Sequence, residues 1–241
     1  ASHSFSNVGT YTICLTATNA CGTDTQCTEV EFSETKARIT GKIFTPAEEP
    51  VGDALVTCTG VGNITTGPDG IFDFQDLSKE ENYSIIPEKD INILNGVSTF
   101  DLFLINNHIL GRTPLDSPYK IIAADANNSG SVTTADLVAV QRVILGVEEA
   151  FPNNTSWRFL DADHLFMNPD DPFAEPLPEQ IDITLNSTVT DADFVGIKIG
   201  DVNQNAVAGN FTNLAGRTNR THYLQIEDRQ LEAGQEITVP L

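Results

Sequence analysis

The stretch DINILNGVSTFDLFLINNHILG (90–111) aligns with DANNSGSVTTADLVAVQRVILG (125–146) when the chain is slid against itself by 35 residues, and this alignment decides how the sequence is read. Nine of the 22 positions are identical: Asp90/Asp125, Asn92/Asn127, Val97/Val132, Thr99/Thr134, Asp101/Asp136, Leu102/Leu137, Ile109/Ile144, Leu110/Leu145 and Gly111/Gly146. Such self-similarity marks a duplicated structural unit.

The second copy places oxygen-bearing side chains at loop positions one, three, five and twelve and a glycine at position six. Hard cations such as Ca2+ take oxygen ligands on alternate residues, and the sharp turn between them favours glycine. Asp125, Asn127 and Ser129 are therefore expected as side-chain ligands, Ser131 through its carbonyl, and Asp136 as the closing carboxylate. The first copy keeps Asp90, Asn92 and Asp101, with the Gly96 carbonyl at position seven, but Leu94 stands at position five and Asn95 at position six. Asn tolerates the left-handed turn, so two calcium sites are expected, with the 125–136 loop the better provided.

Each loop leads into a helix. Leu102, Ile105 and Ile109, like Leu137, Val140 and Ile144, recur at helical spacing, so the two helices can bury their stripes against each other. Thr99 and Thr134 start them, and Gly111 and Gly146 stop them.

This D-x-N-x-S-G-x-V-x-x-x-D-L pattern and its duplication resemble a type I dockerin, over roughly 88 to 150. The resemblance implies calcium-dependent binding of a cohesin module. Carried over position by position, it implies partner contacts from Thr99, Phe100 and Asn107 in one copy and from Thr134, Ala135 and Arg142 in the other. The two sets differ chemically.

Around this unit the chain reads as β structure. Residues 11–19 and 25–32 alternate apolar and polar side chains about the turn ACGTD, a hairpin that sets Cys14 across from Cys27. A disulfide there is one of several pairings open to four cysteines, with Cys58 readable as a small buried apolar side chain. The F…GTYT…LTATN…G core resembles the end of a PKD domain, over residues 1–33. Residues 37–88, with ARITGKIF, DALVTCTGV, TTGPDG, IFDFQDL and NYSIIP, carry short strands at the spacing of a sandwich. They resemble carboxypeptidase-regulatory and Cna-B-like sandwiches. Residues 89–205 are taken as the dockerin-like module with an extension, in which Trp157 and Phe159 alternate as on a strand. Asp161 with Asp163, Asp191 with Asp193, and Asp201 with Asn203 each resemble the opening of a calcium loop, but lack a matching glycine and closing carboxylate, and so read as turns and solvated acids. Residues 206–241 read as a linker and the first strands of a further β domain. The expected fold class is mainly β with a small α calcium-binding module, as tandem immunoglobulin-like sandwiches joined to two loop–helix units. The chain reads as a piece of a longer modular protein.

Across 241 residues, 13 Lys+Arg against 34 Asp+Glu leave a net charge of −21, which repels nucleic acid and anionic membrane surfaces. Apolar residues make up 40%, enough for real cores, yet no run reaches the roughly 20 apolar residues of a spanning helix. No H-E-x-x-H, G-x-S-x-G or phosphate-binding glycine loop occurs, and His3, His108, His164 and His222 stand apart, so no enzyme is expected. N-x-S/T sequons, among them those at Asn63, Asn82, Asn153, Asn154, Asn186, Asn210 and Asn219, add to an extracellular or bacterial cell-surface reading. Two functions follow from the modules: a non-catalytic, calcium-stabilised spacer, adhesin stalk or filament subunit contacting neighbouring subunits, and, as the alternative, a docking module that joins a cohesin-bearing scaffold.

Overall fold

A computed structural model describes residues 8–32 and 35–209; the further β domain expected at 206–241 and the sequons at Asn210 and Asn219 lie wholly or mostly outside them. The described chain is mainly β with three short helices.

Strands β1 (Gly9–Asn19) and β2 (Gly22–Phe32) form the expected hairpin, in a register that sets Cys14 opposite Cys27, and these two are disulfide-bonded. The hairpin gives no residue to either hydrophobic core, and Leu15 on its first strand is 76% exposed. Cys21 is free and exposed; Cys58 is free and buried, as an apolar side chain would be.

Strands β3 (Lys36–Phe44), β4 (Leu55–Cys58), β5 (Gly62–Thr65), β6 (Ile71–Ser78) and β7 (Asn82–Glu88) follow the strand pattern expected of 37–88. Their alternating Ile39, Ile43, Val56, Phe72, Phe74 and Ile85 face one shared core. Helices α1 (Thr99–Ile109), α2 (Pro118–Ala124) and α3 (Thr134–Ile144) come next, then β8 (Trp157–Asp161), β9 (Ile181–Thr184) and β10 (Phe194–Lys198).

The late strands do not build a separate extension. The sheets run β6-β3-β10-β8 and β5-β4-β7-β9, with β10 parallel to β3 and antiparallel to β8, and β9 antiparallel to β7. The spans 37–88 and 89–205, expected as a sandwich and a following module, thus share both sheets. The physical reason is edge pairing: β3 and β7 would otherwise each present a row of unpaired N–H and C=O groups. Thr40 N–H donates to Val189 O at 3.0 Å and Ala192 N–H to Thr40 O at 3.3 Å, so the late segment is laced to β3 ahead of β10.

β8 and β10 are covered on both faces, so that every residue of β10, Lys198 included, and every residue of β8 but Asp161 is buried. Trp157, Phe159 and Phe194 join the sandwich core, whereas Leu160 and Ile197 join a second core with Ile105 of α1, Ile122 of α2 and Val140 of α3. The duplicated helix stripes meet as expected, with Ile105 and Val140 both fully buried.

Both repeat helices are capped alike. Ser98 and Thr133 form capping boxes with Asp101 and Asp136, and Gly111 (φ 64°) and Gly146 (φ 67°) close the C-termini in the left-handed conformation. Helix α2 was not foreseen, although Ser117-Pro118 is a helix-start signal, with proline in the first turn where its missing N–H costs nothing.

Gly41 tests the shared sheets. A Cβ there would lie 2.0 Å from the Ala192 carbonyl oxygen, a backbone atom that cannot step aside. Gly41→Ala is expected to lower stability by about 2 kcal/mol or more. The lone tryptophan, Trp157 on β8, supplies the readout: its urea midpoint should fall with the far-UV midpoint. A Trp157 transition unmoved by the substitution would show that the late strands fold independently.

Candidate metal centre

The loop after α2 is shaped by its own backbone. Asp125 ends the helix, its N–H donating to Ile121 O and Ile122 O at 3.2 and 3.3 Å. Asn128 (φ 54°) and Gly130 (φ 75°) then take left-handed conformations and fold the chain back over the Asp125 carboxylate. Ser129 N–H donates to Asp125 Oδ1 at 2.9 Å and Gly130 N–H to Asp125 Oδ2 at 2.8 Å. The far end is tied by Asp136, which accepts from Asn127 N–H at 3.1 Å on Oδ1 and from Thr133 N–H at 2.8 Å on Oδ2. Ser129 Oγ reaches the Ser131 carbonyl at 3.2 Å. Asn154 Nδ2 donates to Asp125 O at 3.0 Å, anchoring the loop to the segment leading into β8. Asp125, Asn127, Ser129, Ser131 and Asp136 are therefore gathered around one point.

Two features fit a cation there. Asp125 and Asp136 are both fully buried, and no salt bridge among the described residues includes either. Burial, first, and then the Asp136 charge raise the Asp125 carboxyl above its ordinary range, against the N–H bonds from Ser129 and Gly130 that lower it. In addition, Asn127 Oδ1 is shielded from solvent and has no hydrogen-bond partner among the described residues, an orphaned acceptor that costs about 1–3 kcal/mol. No cluster of three or more His, Cys, Asp or Glu side chains occurs among the described residues, so the donor set is two carboxylates with neutral oxygens. That set suits Ca2+ rather than a softer metal.

The first copy is arranged differently. Asp101 is as buried as Asp136 and closes the same capping box, Ser98 N–H donating to its Oδ2 at 2.9 Å. However, Asn92 makes no bond to it. Asp90 Oδ1 instead accepts from Ser156 N–H at 2.8 Å, and Ser156 Oγ donates to Ile91 O at 3.0 Å, so residues 90–91 serve to hold the start of β8. Leu94 is 44% exposed. The bond that Asn127 gives Asp136 is given to Asp101 by Asn203, at 3.2 Å. Asp201, expected as a solvated acid, is 2% exposed, and Gly96 lies against it. The opening D-x-N was visible at 201–203, whereas its partner across the fold was not.

The positions carried over for partner contact fall on the outer sides of the two helices. Thr99, Phe100, Thr134, Ala135 and Arg142 are exposed and Asn107 half-buried. Phe100 stacks on Phe103, itself exposed, with ring centroids 6.1 Å apart. At the matching positions of α3, Ala135 and Val138 line a groove of about 560 Å³ with Arg142, Asn128 and Pro152. Arg142 also pairs with Glu148 at 2.7 Å.

Residues 88–145 match the family model of the Dockerin type I domain. No curated protein matches the chain. The match ends one residue after α3, so it covers both loop–helix units but neither β8, β9 nor β10. Dockerin type I domains bind Ca2+, and the residues gathered at 125–136 fit that ion on the grounds just given.

Two outcomes are expected. Asn127→Ala removes an unsatisfied buried oxygen, so in chelator its melting temperature should equal or exceed that of the parent protein. In calcium the order should reverse, because a site held at a hundred times its dissociation constant adds about 2.7 kcal/mol and the variant would lose much of that. Differential scanning calorimetry under both conditions checks the crossing.

The second concerns Lys198, 5% exposed, whose Nζ donates to Ile93 O at 2.8 Å. Burial, only partly offset by the charges of Asp201, Asp90 and Asp101, lowers its pKa to about 7, with the Lys89 charge adding to the depression. Between that pH and the unfolded value near 10.5 the unfolded chain binds more protons, so stability rises with pH, by at most about 1.4 kcal/mol per unit. In chelator, urea midpoints measured from pH 7 to 9 should rise more steeply for the parent protein than for Lys198→Met; equal slopes would contradict the assignment.

Proposed function

We propose that this region is a calcium-dependent docking module that binds a cohesin-type protein partner. The observation that carries the reading is the family match over 88–145, together with exposed, positionally equivalent residues on α1 and α3. The region does no catalysis of its own; it attaches whatever it is joined to. Two Ca2+ ions hold the loop–helix units in register, the one at 125–136 bound by Asp125, Asn127, Ser129, Ser131 and Asp136. The acidic surface and net charge of −21 suit an extracellular setting, and no helix among the described residues is long and apolar enough to cross a membrane.

The two helix faces differ in chemistry. Phe100 with Phe103 is a flat aromatic platform, whereas Ala135 with Val138 and Arg142 borders a groove that admits a partner's side chain. We assign the groove side as the main contact, since concave apolar surface with a few polar groups is what recognition uses.

A second reading, a calcium-stiffened spacer or stalk with PKD-like and Cna-B-like parts, is favoured by the sheets shared between 37–88 and the late strands. The two readings separate in one assay. With a panel of immobilised cohesins, the docking reading expects capture in calcium, loss in chelator, and at least about tenfold weakening by Thr134→Asp. That substitution puts an acid in the first turn of α3, where the helix dipole favours it, so lost binding would not mean lost folding. No capture across the panel would leave the spacer reading, and capture that persists in chelator would end the calcium-dependent docking one.

A further inference from the structure

Asp125 is one of two buried aspartates in the described chain that accept backbone N–H groups from residues four and five positions later. The other is Asp201: Asn205 N–H donates to its Oδ1 at 3.2 Å and Ala206 N–H to its Oδ2 at 2.7 Å. The likeness continues along both segments. Two residues after each aspartate an asparagine donates its N–H to Oδ1 of a helix-capping aspartate, Asn127 to Asp136 and Asn203 to Asp101. Three residues after each the backbone is left-handed, at Asn128 (φ 54°) and Gln204 (φ 59°). The capping aspartate then accepts, on its other oxygen, from the cap residue's own N–H, Thr133 in one case and Ser98 in the other.

The two differ in covalent connection. At 125–136 the chain runs on from Gly130 into α3. At 201–206 it leaves after Ala206, and Gly96, Val97 and Ser98 take over on the way into α1. The segments are joined where they meet: Val207 N–H donates to Asn95 Oδ1 at 3.2 Å, and Asn95 Nδ2 to Val207 O at 2.9 Å. Gly96 is obligatory there, since a Cβ on it would lie 2.7 Å from both Ala206 N and Asp201 Oδ2.

Turns and caps would account for the hydrogen bonds alone. They do not account for Asn203 Oδ1, which is shielded from solvent and has no partner among the described residues, the same condition as Asn127 Oδ1. Nor do they neutralise Asp101 and Asp201, both at 2% exposure or less, with no salt bridge to either among the described residues. The nearby Lys198 ammonium donates to the carbonyls of Ile93 and Ile199 rather than to either carboxylate. Two buried like charges beside an orphaned amide oxygen need a cation of charge two with oxygen preference.

We propose that Asp201, Asn203 and Asn205, with Asp101 and the carbonyl of Gly96, form the chain's second calcium site, assembled from segments a hundred residues apart. It replaces the contiguous 90–101 loop, whose Asp90 is committed to Ser156. The inference rests on the reading that the module takes calcium but not on what it docks to.

Calorimetric titration of the calcium-stripped chain with CaCl2 tests it. The parent protein should bind two equivalents, Asp201→Asn/Asn203→Ala one, and Asp90→Asn/Asn92→Ala two. Asn203→Asp, which adds a charged ligand, should tighten the second equivalent several-fold, a gain that misfolding cannot imitate. The proposal is overturned if the 201/203 pair leaves both equivalents while the 90/92 pair removes one, or if the parent protein binds a single ion that Asp125→Asn abolishes. A chain that binds two ions by this pattern and captures no cohesin would end the docking reading and leave the site standing.

Discussion

Two carboxylates, Asp101 and Asp136, sit at the starts of the paired helices with no measurable exposure, and the rest of the module is arranged around keeping them there. An ionised carboxylate out of water is costly unless its lone pairs are filled and its charge answered. The filling is done by main-chain N–H groups: the cap residue of each helix on one oxygen, and an asparagine N–H from the facing loop on the other. A helix N-terminus supplies partial positive charge as well, worth a few tenths to one kcal/mol. Hydrogen bonds and a dipole leave the net charge in place, so each site remains one cation short. In the proposed reading a calcium ion supplies that charge at each.

The consequence for packing is that loops and helices cannot be separated from the sheets. Asp90, by sequence the opening ligand of the first loop, has become the acceptor that positions Ser156 at the start of β8. From there β8 and β10 carry side chains alternately into the sandwich core and the helical core, Phe159 and Phe194 on one side, Leu160 and Ile197 on the other. A perturbation on the helical side therefore reaches the sandwich through two five-residue strands that are buried at every position but Asp161.

Much of this was legible in the sequence wherever signals were local. The duplicated 22-residue stretch gave both helices to the residue at their starts and gave the glycine stops, because capping and periodicity are properties of neighbouring residues. The hairpin with Cys14 opposite Cys27 was readable for the same reason. The joining of the late strands to 37–88 was not, since β3 with β10 and β7 with β9 pair across about a hundred residues or more, and an apolar run such as FVGIKI says only that both its faces are covered. Asp201 shows the limit most plainly. DVNQN displayed the opening of a calcium loop, and its want of a closing carboxylate argued against it; Asp101 occupies that place from the other end of the fold.

A site divided in this way raises the question of how it can bind an ion at all, since bringing together two segments a hundred residues apart costs about 4 kcal/mol in loop closure. The sheet answers it. Phe194 and Val195 pair with Ile43 and Phe44, and β10 ends at Lys198, only three residues before Asp201. The chain is thus already closed by strand pairing and core burial before any ion arrives, and Gly200 N–H, held on the Ala123 carbonyl at 2.8 Å, fixes the last step into the loop. In the proposed reading calcium meets a preformed set of oxygens, so its binding energy is free to hold α1 against the C-terminal segment rather than to gather the chain. The same Ala123 lies two residues before Asp125. One short contact therefore places the openings of both loops beside each other.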